Sequence, residues 1–106
     1  MSVIMTLRVK GDGQKLEQVA GENQDRMQGI LEQAKQSGLI AHRFYANDSG
    51  DVMVVDEWPD AESFQRFFEG AQDDIGWLMG EIGVSEEPQP EFWNKLETHD
   101  EVGWES

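Results

Sequence analysis

The chain has 106 residues, no cysteine and a formal net charge of −14, with 22 acidic residues against 8 lysines and arginines. This composition excludes disulfides and thiolate metal sites, and it disfavours nucleic acid and anionic membranes as partners, since both require a basic surface. The length, without internal repeats, predicts one domain over residues 1–97, followed by an acidic tail over residues 98–106.

The N-terminal residues lack the basic segment and long apolar run of a secretory signal, and no apolar stretch reaches the roughly 18 residues that span a membrane. We therefore expect a cytoplasmic protein. Residues 56–106 carry 15 of the 22 acidic residues, with only Arg66 and Lys95 as bases. The simplest interpretation is a soluble, self-repelling surface, and the alternative is an acidic face that recruits a basic partner.

Residues 3–10 alternate between apolar and polar side chains, which predicts a first strand with one apolar face. The glycines Gly11 and Gly13 that follow do not complete a dinucleotide-binding fingerprint, because Leu16 stands where its third glycine would fall, so they predict a turn. A short helical piece is expected next, interrupted near Gly21. A longer helix follows over about residues 23–37 and ends at Gly38.

Residues Leu39–Asn47 predict a second strand, and the turn cluster Asn47–Gly50 joins it to a third, Asp51–Trp58, as an antiparallel hairpin. The apolar run Val52–Val55 is typical of a strand that is buried on both faces. The tight turn places His42 opposite Val55 or Asp56.

Asp60 is placed to cap a helix over about residues 61–72, by accepting a hydrogen bond from the backbone N–H of Glu62 or Ser63. Its apolar stripe has helical spacing and comprises Phe64, Phe67, Phe68 and Ala71. A further short helix is expected around residues 75–82, then a linker over residues 86–90 and a last strand over residues 92–96.

The element order is β-α-β-β-α-β, which predicts an α+β, ferredoxin-like fold with a four-stranded antiparallel sheet and the helices on one face. Apolar and aromatic side chains are expected on the other face too, among them Ile4, Val55 and Trp93. Patches of this kind are rarely left in water, so a second copy of the sheet is the simplest cover. We therefore expect a homodimer.

The helix end at Gly38 followed by LIAHRFY, the hairpin, and the stretch VVDEWPDAESFQRFF resemble the antibiotic biosynthesis monooxygenase-type domains of the dimeric α+β barrel superfamily. The resemblance covers about residues 1–97. It implies that two sheets face each other in a homodimer and that each protomer has a pocket between its sheet and its helices. Such relatives include cofactor-free oxygenases of aromatic polyketides, haem-degrading enzymes, small-molecule isomerases and proteins of no known activity, so fold alone does not select a reaction.

The acidic-x-Trp pattern of these relatives is matched by Asp56 and Trp58. Where many of them place a histidine on the second helix, this chain has Phe67, and where the haem-degrading relatives carry an axial histidine it has Trp77. The first strand also lacks the asparagine that those enzymes use. Because phenylalanine and tryptophan are not iron ligands, we expect neither haem nor any other cofactor.

The candidate acid/base pair is His42 with Asp56. A carboxylate beside an imidazole orients the ring, which is how a general base or proton shuttle is built. The same pair could instead simply satisfy two buried polar groups. Since His99 lies in the acidic tail, where solvation is the simpler interpretation, no metal site is predicted.

The candidate substrate wall is Phe44, Trp58, Phe67 and Trp77. An aromatic pocket with few polar groups suits a flat apolar ligand such as a polyketide or quinone, although the spacing also explains most of these residues as core. The sequence thus suggests a monooxygenase-like protein that oxidises a small aromatic or quinone-type molecule without a cofactor. The alternative is a non-catalytic dimeric module that binds a small molecule or a protein.

Overall fold

The computed structural model describes residues 1–103 as one four-stranded sheet with helices on one of its faces. The elements are β1 (Val3–Lys10), α1 (Gly13–Glu22), α2 (Gln24–Gln36), β2 (Ala41–Ala46), β3 (Asp51–Trp58), α3 (Ala61–Gly70), α4 (Gln72–Glu81) and β4 (Pro90–Trp93). All neighbouring strands are antiparallel, in the order β2-β3-β1-β4. The predicted ferredoxin-like fold is confirmed, with both helical segments divided in two.

The core lies between the sheet and the helices, because strand residues alternate between the two faces of the sheet. The buried side chains that the two central strands direct towards the helices include Met5, Leu7, Val9, Val52, Val54 and Trp58. Trp58 is 0% exposed, and it is the largest of the fully buried side chains. Within residues 1–103, no helix has the length and hydrophobicity that a bilayer crossing requires.

The first helical segment is interrupted at Asn23 rather than near Gly21. The helix continues through Gly21, and the side-chain amide of Asn23 then donates a hydrogen bond of 2.9 Å to the carbonyl of Val19. Because asparagine side chains compete with the backbone for such carbonyls, they favour helix ends over helix interiors. The sequence prediction placed the break at the glycine and was two residues early.

Two predicted helix ends are confirmed. Gly38 follows α2 with a φ of 110°, a conformation that favours glycine, and an added Cβ would lie only 3.2 Å from Pro59. At the start of α3, the Asp60 carboxylate accepts hydrogen bonds of 2.8 Å from both the backbone N–H and the hydroxyl of Ser63. The backbone hydrogen bond from Ser63 lowers the pKa of Asp60 below its ordinary value.

The two edge strands are shorter than predicted. Strand β4 begins at Pro90, two residues before the predicted start, and ends at Trp93, opposite Ile4 near the beginning of β1. Beyond this strand, Leu96 and Val102 are 74% and 84% exposed. The last residues of the predicted acidic tail, 104–106, lie outside the described part of the chain, and the boundary at residue 97 stays a prediction.

Candidate functional site

A cavity of about 260 Å³ lies between the helix-facing side of the sheet and the helices α2, α3 and α4. The sheet side of its apolar wall is formed by Met5, Leu7, Leu39, Phe44 and Val54. The helices contribute Met27, Ile30, Leu31, Ala34, Phe64, Phe67, Phe68, Ile75, Leu78 and Met79. Among the described residues, the polar lining comes from Gln28, His42 and Asp56 alone. The cavity is therefore an apolar chamber with very few polar groups.

His42 and Asp56 lie directly opposite each other on β2 and β3, in the register expected from the hairpin. The imidazole Nδ1 is 2.6 Å from the carboxylate Oδ1. The Asp56 side chain is only 6% exposed, whereas that of His42 is 31% exposed. Asp56 is therefore the buried member of the pair, and His42 is the member that lies nearer to solvent.

The second carboxylate oxygen of Asp56 is also occupied. The indole N–H of Trp58 donates a hydrogen bond of 3.1 Å to Oδ2. An ionised carboxylate can only accept hydrogen bonds, so the Nδ1 of His42 must carry the proton in their shared bond. In neutral imidazole this leaves Nε2 with a free lone pair, which is the atom able to take a proton from a ligand.

The two N–H donors explain how a carboxylate is tolerated at this depth. Burying a charge without partners is costly, and charge-assisted hydrogen bonds to both oxygens offset that cost. Within residues 1–103, no fully buried side-chain nitrogen or oxygen lacks a hydrogen-bond partner. The trio of His42, Asp56 and Trp58 is therefore a satisfied polar network inside an apolar core.

Of the four aromatic residues predicted as substrate wall, Phe44 and Phe67 line the cavity. The rings of His42 and Phe44 meet edge to face, with their centroids 4.9 Å apart. Phe67 stacks on Trp58 at 5.6 Å, and Trp58 itself does not line the cavity. Trp58 lies in the layer behind the wall, where it supports Phe67 and binds Asp56.

Trp77 also lies outside the cavity wall, contrary to the prediction. Its ring lies under the guanidinium of Arg26, at 4.0 Å, and Arg26 is in turn 3.0 Å from the carboxylate of Asp74. These contacts join α2 to α4 across the helical layer. Helix α4 turns Ile75, Leu78 and Met79 to the cavity, and this orientation directs Trp77 to the neighbouring helix instead.

The sequence analysis missed most of the helical wall, because it took no residue of α2 into the candidate site. Its residues Met27, Ile30 and Leu31 are only partly buried, and together they cover the cavity. The exposed Gln28 flanks this stripe and was also missed. The available signal was a stripe of large apolar side chains on a helix that buries only Ala34 completely.

A metal centre is not formed by the part of the chain that the structure describes. In residues 1–103, no group of three or more His, Asp or Glu side chains is arranged to hold an ion. His99 follows β4 in the tail and does not line the cavity.

The fold recurs in solved structures. SnoaB from Streptomyces nogalater, described as a cofactor-independent oxygenase, superposes with a TM-score of 0.62 at 15% identity, over 94% of this chain and 98% of that one. This chain has the fold of the antibiotic biosynthesis monooxygenase-type proteins. A monooxygenase from the ActVA-Orf6 gene of Streptomyces coelicolor, solved with Nanaomycin D, shares the fold with a TM-score of 0.63 at 15% identity, over 92% and 89% of the two chains.

A third solved structure with this fold is a dimeric ferredoxin-like protein from an uncultured marine organism. It superposes with a TM-score of 0.61 at 12% identity, over 91% of this chain and 89% of that one. No protein-family model and no curated protein matches the sequence. At such low identities the shared property is the fold, and any activity has to be argued from the residues of the cavity.

Proposed function

We propose that this chain is a monooxygenase-like protein that binds a small aromatic or quinone-type molecule in the cavity and oxidises it without a cofactor. The observation that carries the proposal is the 2.6 Å contact between His42 and Asp56 on the wall of an otherwise apolar chamber. An apolar cavity with a few placed polar groups is the usual form of a small-molecule site.

Each residue of the pair has a defined role in the proposal. The Nε2 of His42 takes the proton of a phenolic hydroxyl, and Asp56 fixes the ring and stabilises the imidazolium that forms. The phenolate then supplies the electrons that reduce O₂. For a phenol with a free para carbon, phenol and O₂ give a para-quinone and water, so that one oxygen atom becomes the new carbonyl.

The neighbouring structures support this choice of chemistry. One is described as a cofactor-independent oxygenase, and another is a monooxygenase with bound Nanaomycin D. Phe44 and Phe67 provide aromatic surface on two sides of the cavity, from β2 and from α3. Aromatic walls favour a flat ligand, because ring stacking and edge-to-face contacts add to its burial.

The experiment is to measure oxygen uptake by the purified protein with a panel of phenols and hydroquinones, and to compare two variants. His42→Ala should abolish turnover, whereas His99→Ala, which changes the other histidine of the chain, should leave it intact. Circular dichroism checks that both variants fold. Equal turnover in both variants would refute the role of His42, and ligand binding without oxygen uptake would leave a non-catalytic binding module.

We also propose that two copies pair through the sheet face that the helices leave uncovered. Tyr45 and Trp93 lie on this face and are 47% and 52% exposed, and Ile4, Met53 and Val55 extend the apolar surface between them. Thr6 and Arg43 lie beside Val55 on the same face, and apolar patches bordered by polar residues are typical of protein interfaces. The dimeric ferredoxin-like neighbour supports the same assembly.

A further inference from the structure

We propose that the cavity selects a neutral ligand that carries a single hydroxyl on a body of one or two fused rings, and that it rejects carboxylated analogues. The inference rests on the proposed function, because it concerns the occupant of the same cavity. It is argued from the charges around the wall and from the size and polarity of the chamber.

The described cavity wall contains no lysine or arginine, and its only acidic side chain is that of Asp56. This carboxylate is directed at His42 and Trp58, which already occupy both of its oxygens. In neutral His42 the one N–H is bonded to Asp56, so Nε2 can accept a hydrogen bond from a hydroxyl but has no proton to donate, and a ligand carboxylate would find no donor there. An unpaired buried charge is among the least favourable arrangements in a protein.

Five lysines and arginines stand next to cavity-lining residues in the sequence, and each makes its contacts elsewhere. Arg26 precedes Met27, but its guanidinium stacks on Trp77 and pairs with Asp74 at 3.0 Å. The other four contacts are Arg8 with Asp51, Lys35 with Glu32, Arg66 with Glu62, and Arg43 with the hydroxyl of Tyr45. The absence of a positive charge from the described wall is therefore a result of how these side chains are oriented.

The size of the cavity limits the ligand further. Its volume of about 260 Å³ is below the range of about 300–1,000 Å³ that is usual for drug-sized ligands. Gln28 lies on α2, so the polar groups on the sheet side of the cavity are His42 and Asp56, whose side chains are 31% and 6% exposed. One hydroxyl can bond to Nε2 of His42, while a second polar group at the far end of the ligand would meet apolar side chains and lose its water.

The test is calorimetric titration of the full chain with four probes that share one ring system: naphthalene, 2-naphthol, 2,6-dihydroxynaphthalene and 2-naphthoate. At pH 7 a phenol, with a pKa of about 10, is neutral, whereas a carboxylic acid is ionised. We expect 2-naphthol to bind most tightly and 2-naphthoate to bind at least about tenfold more weakly, because its charge is not paired. Equal affinities for these two probes would overturn the inference.

Two controls separate the cavity from the acidic surface of the protein. The titrations are repeated in 1 M salt, where the Debye length is only about 3 Å and long-range repulsion is screened. A preference that disappears in high salt would overturn the inference, since it would arise from the net charge of −14. Gln28→Lys adds a cation beside the cavity and should reduce the preference for 2-naphthol over 2-naphthoate. Gln36→Lys adds the same charge elsewhere on α2 and should leave this preference unchanged.

The failure of the inference can be told apart from the failure of the proposed function. If none of the four probes binds, the cavity does not hold small aromatic molecules and both proposals fail. If 2-naphthoate binds as well as 2-naphthol while phenols still consume oxygen through His42, only the selectivity is wrong. If Gln28→Lys and Gln36→Lys behave alike, the cavity wall does not set the charge preference.

Discussion

The indole N–H of Trp58 donates a hydrogen bond to the carboxylate of Asp56 at 3.1 Å, although a single residue separates the two on β3. Side chains two positions apart on a strand share a face, so this contact follows from the strand itself. The contact with His42 comes from the neighbouring strand, at 2.6 Å. Asp56 is thus held between one partner on its own strand and one on the next.

Replacing Asp56 with asparagine should invert the tautomer of His42. An amide has one acceptor oxygen where the carboxylate has two, and the buried Trp58 N–H requires that oxygen. The amide NH₂ would then face Nδ1, so the imidazole proton would move to Nε2 and block proton abstraction. We expect loss of oxygen uptake, with the tautomer change visible in ¹⁵N NMR spectra of the ring nitrogens.

The control for this variant is Asp73→Asn, which removes one negative charge from an exposed position on α4. It should leave both the tautomer and the turnover unchanged. An Asp56→Asn protein that keeps its proton on Nδ1 and still consumes oxygen would contradict the proposed relation between the two residues.

Removing the indole donor should destabilise the protein. Trp58→Phe keeps an aromatic ring against Phe67 but leaves Oδ2 of Asp56 buried without its partner. Such an unsatisfied group costs about 1–3 kcal/mol in the free energy of unfolding. Urea denaturation measures the loss in the free energy of unfolding. The control is Trp77→Phe, the same change at a partly buried tryptophan, for which we expect a smaller loss. Equal losses in the two variants would mean that the hydrogen bond from Trp58 to Asp56 adds no measurable stability.

A charge on the uncovered sheet face should prevent pairing of the two copies. Val55 lies near the centre of that face, and Val55→Asp would bury a carboxylate in the proposed interface, which is strongly unfavourable. Light scattering at micromolar concentration should give about twice the 12.0 kDa chain mass for the unmodified protein and a single chain for the variant. The control Gln65→Asp, on the exposed side of α3, should remain dimeric. If the unmodified protein is itself a monomer, the proposed pairing is wrong.

The cap of α3 should contribute to the acid sensitivity of the fold. The hydrogen bond from the Ser63 backbone lowers the pKa of Asp60 in the folded state, so the folded protein binds this proton less readily than the unfolded chain does. The resulting stability is present above the ordinary carboxyl pKa, about 4, and is lost as the pH falls through the lower folded value. The Arg8 side chain lowers the pKa of Asp51 in the same direction.

Asp60→Asn tests this contribution, since asparagine caps a helix as well as aspartate does but does not ionise. The stability of the variant should therefore fall less steeply with decreasing pH below about 4, when urea midpoints are measured at several pH values. Asp73→Asn gives the reference for removing a carboxylate from an exposed position. Identical pH dependence in the Asp60 variant and the unmodified protein would contradict the assignment.

Local patterns predicted much of this molecule. Alternation along β1 gave its apolar face, and the tight turn between β2 and β3 placed His42 opposite Val55 or Asp56, of which the structure shows Asp56. These features could be predicted from the sequence because they depend only on nearby residues and on the two-residue period of a strand. The helix break at Asn23 was missed because a side-chain hydrogen bond competed with the glycine signal.

The sequence by itself determined the element order, two helix ends and the proximity of His42 and Asp56, since each follows from contacts within an element or across one short turn. Only the tertiary structure decided which aromatic residues face the cavity. Phe67 and Trp77 have similar apolar character, yet the rotation of α3 turns one to the chamber and that of α4 turns the other to Arg26. Helix rotation is set by the packing of all its neighbours at once, and no local pattern in the chain encodes it.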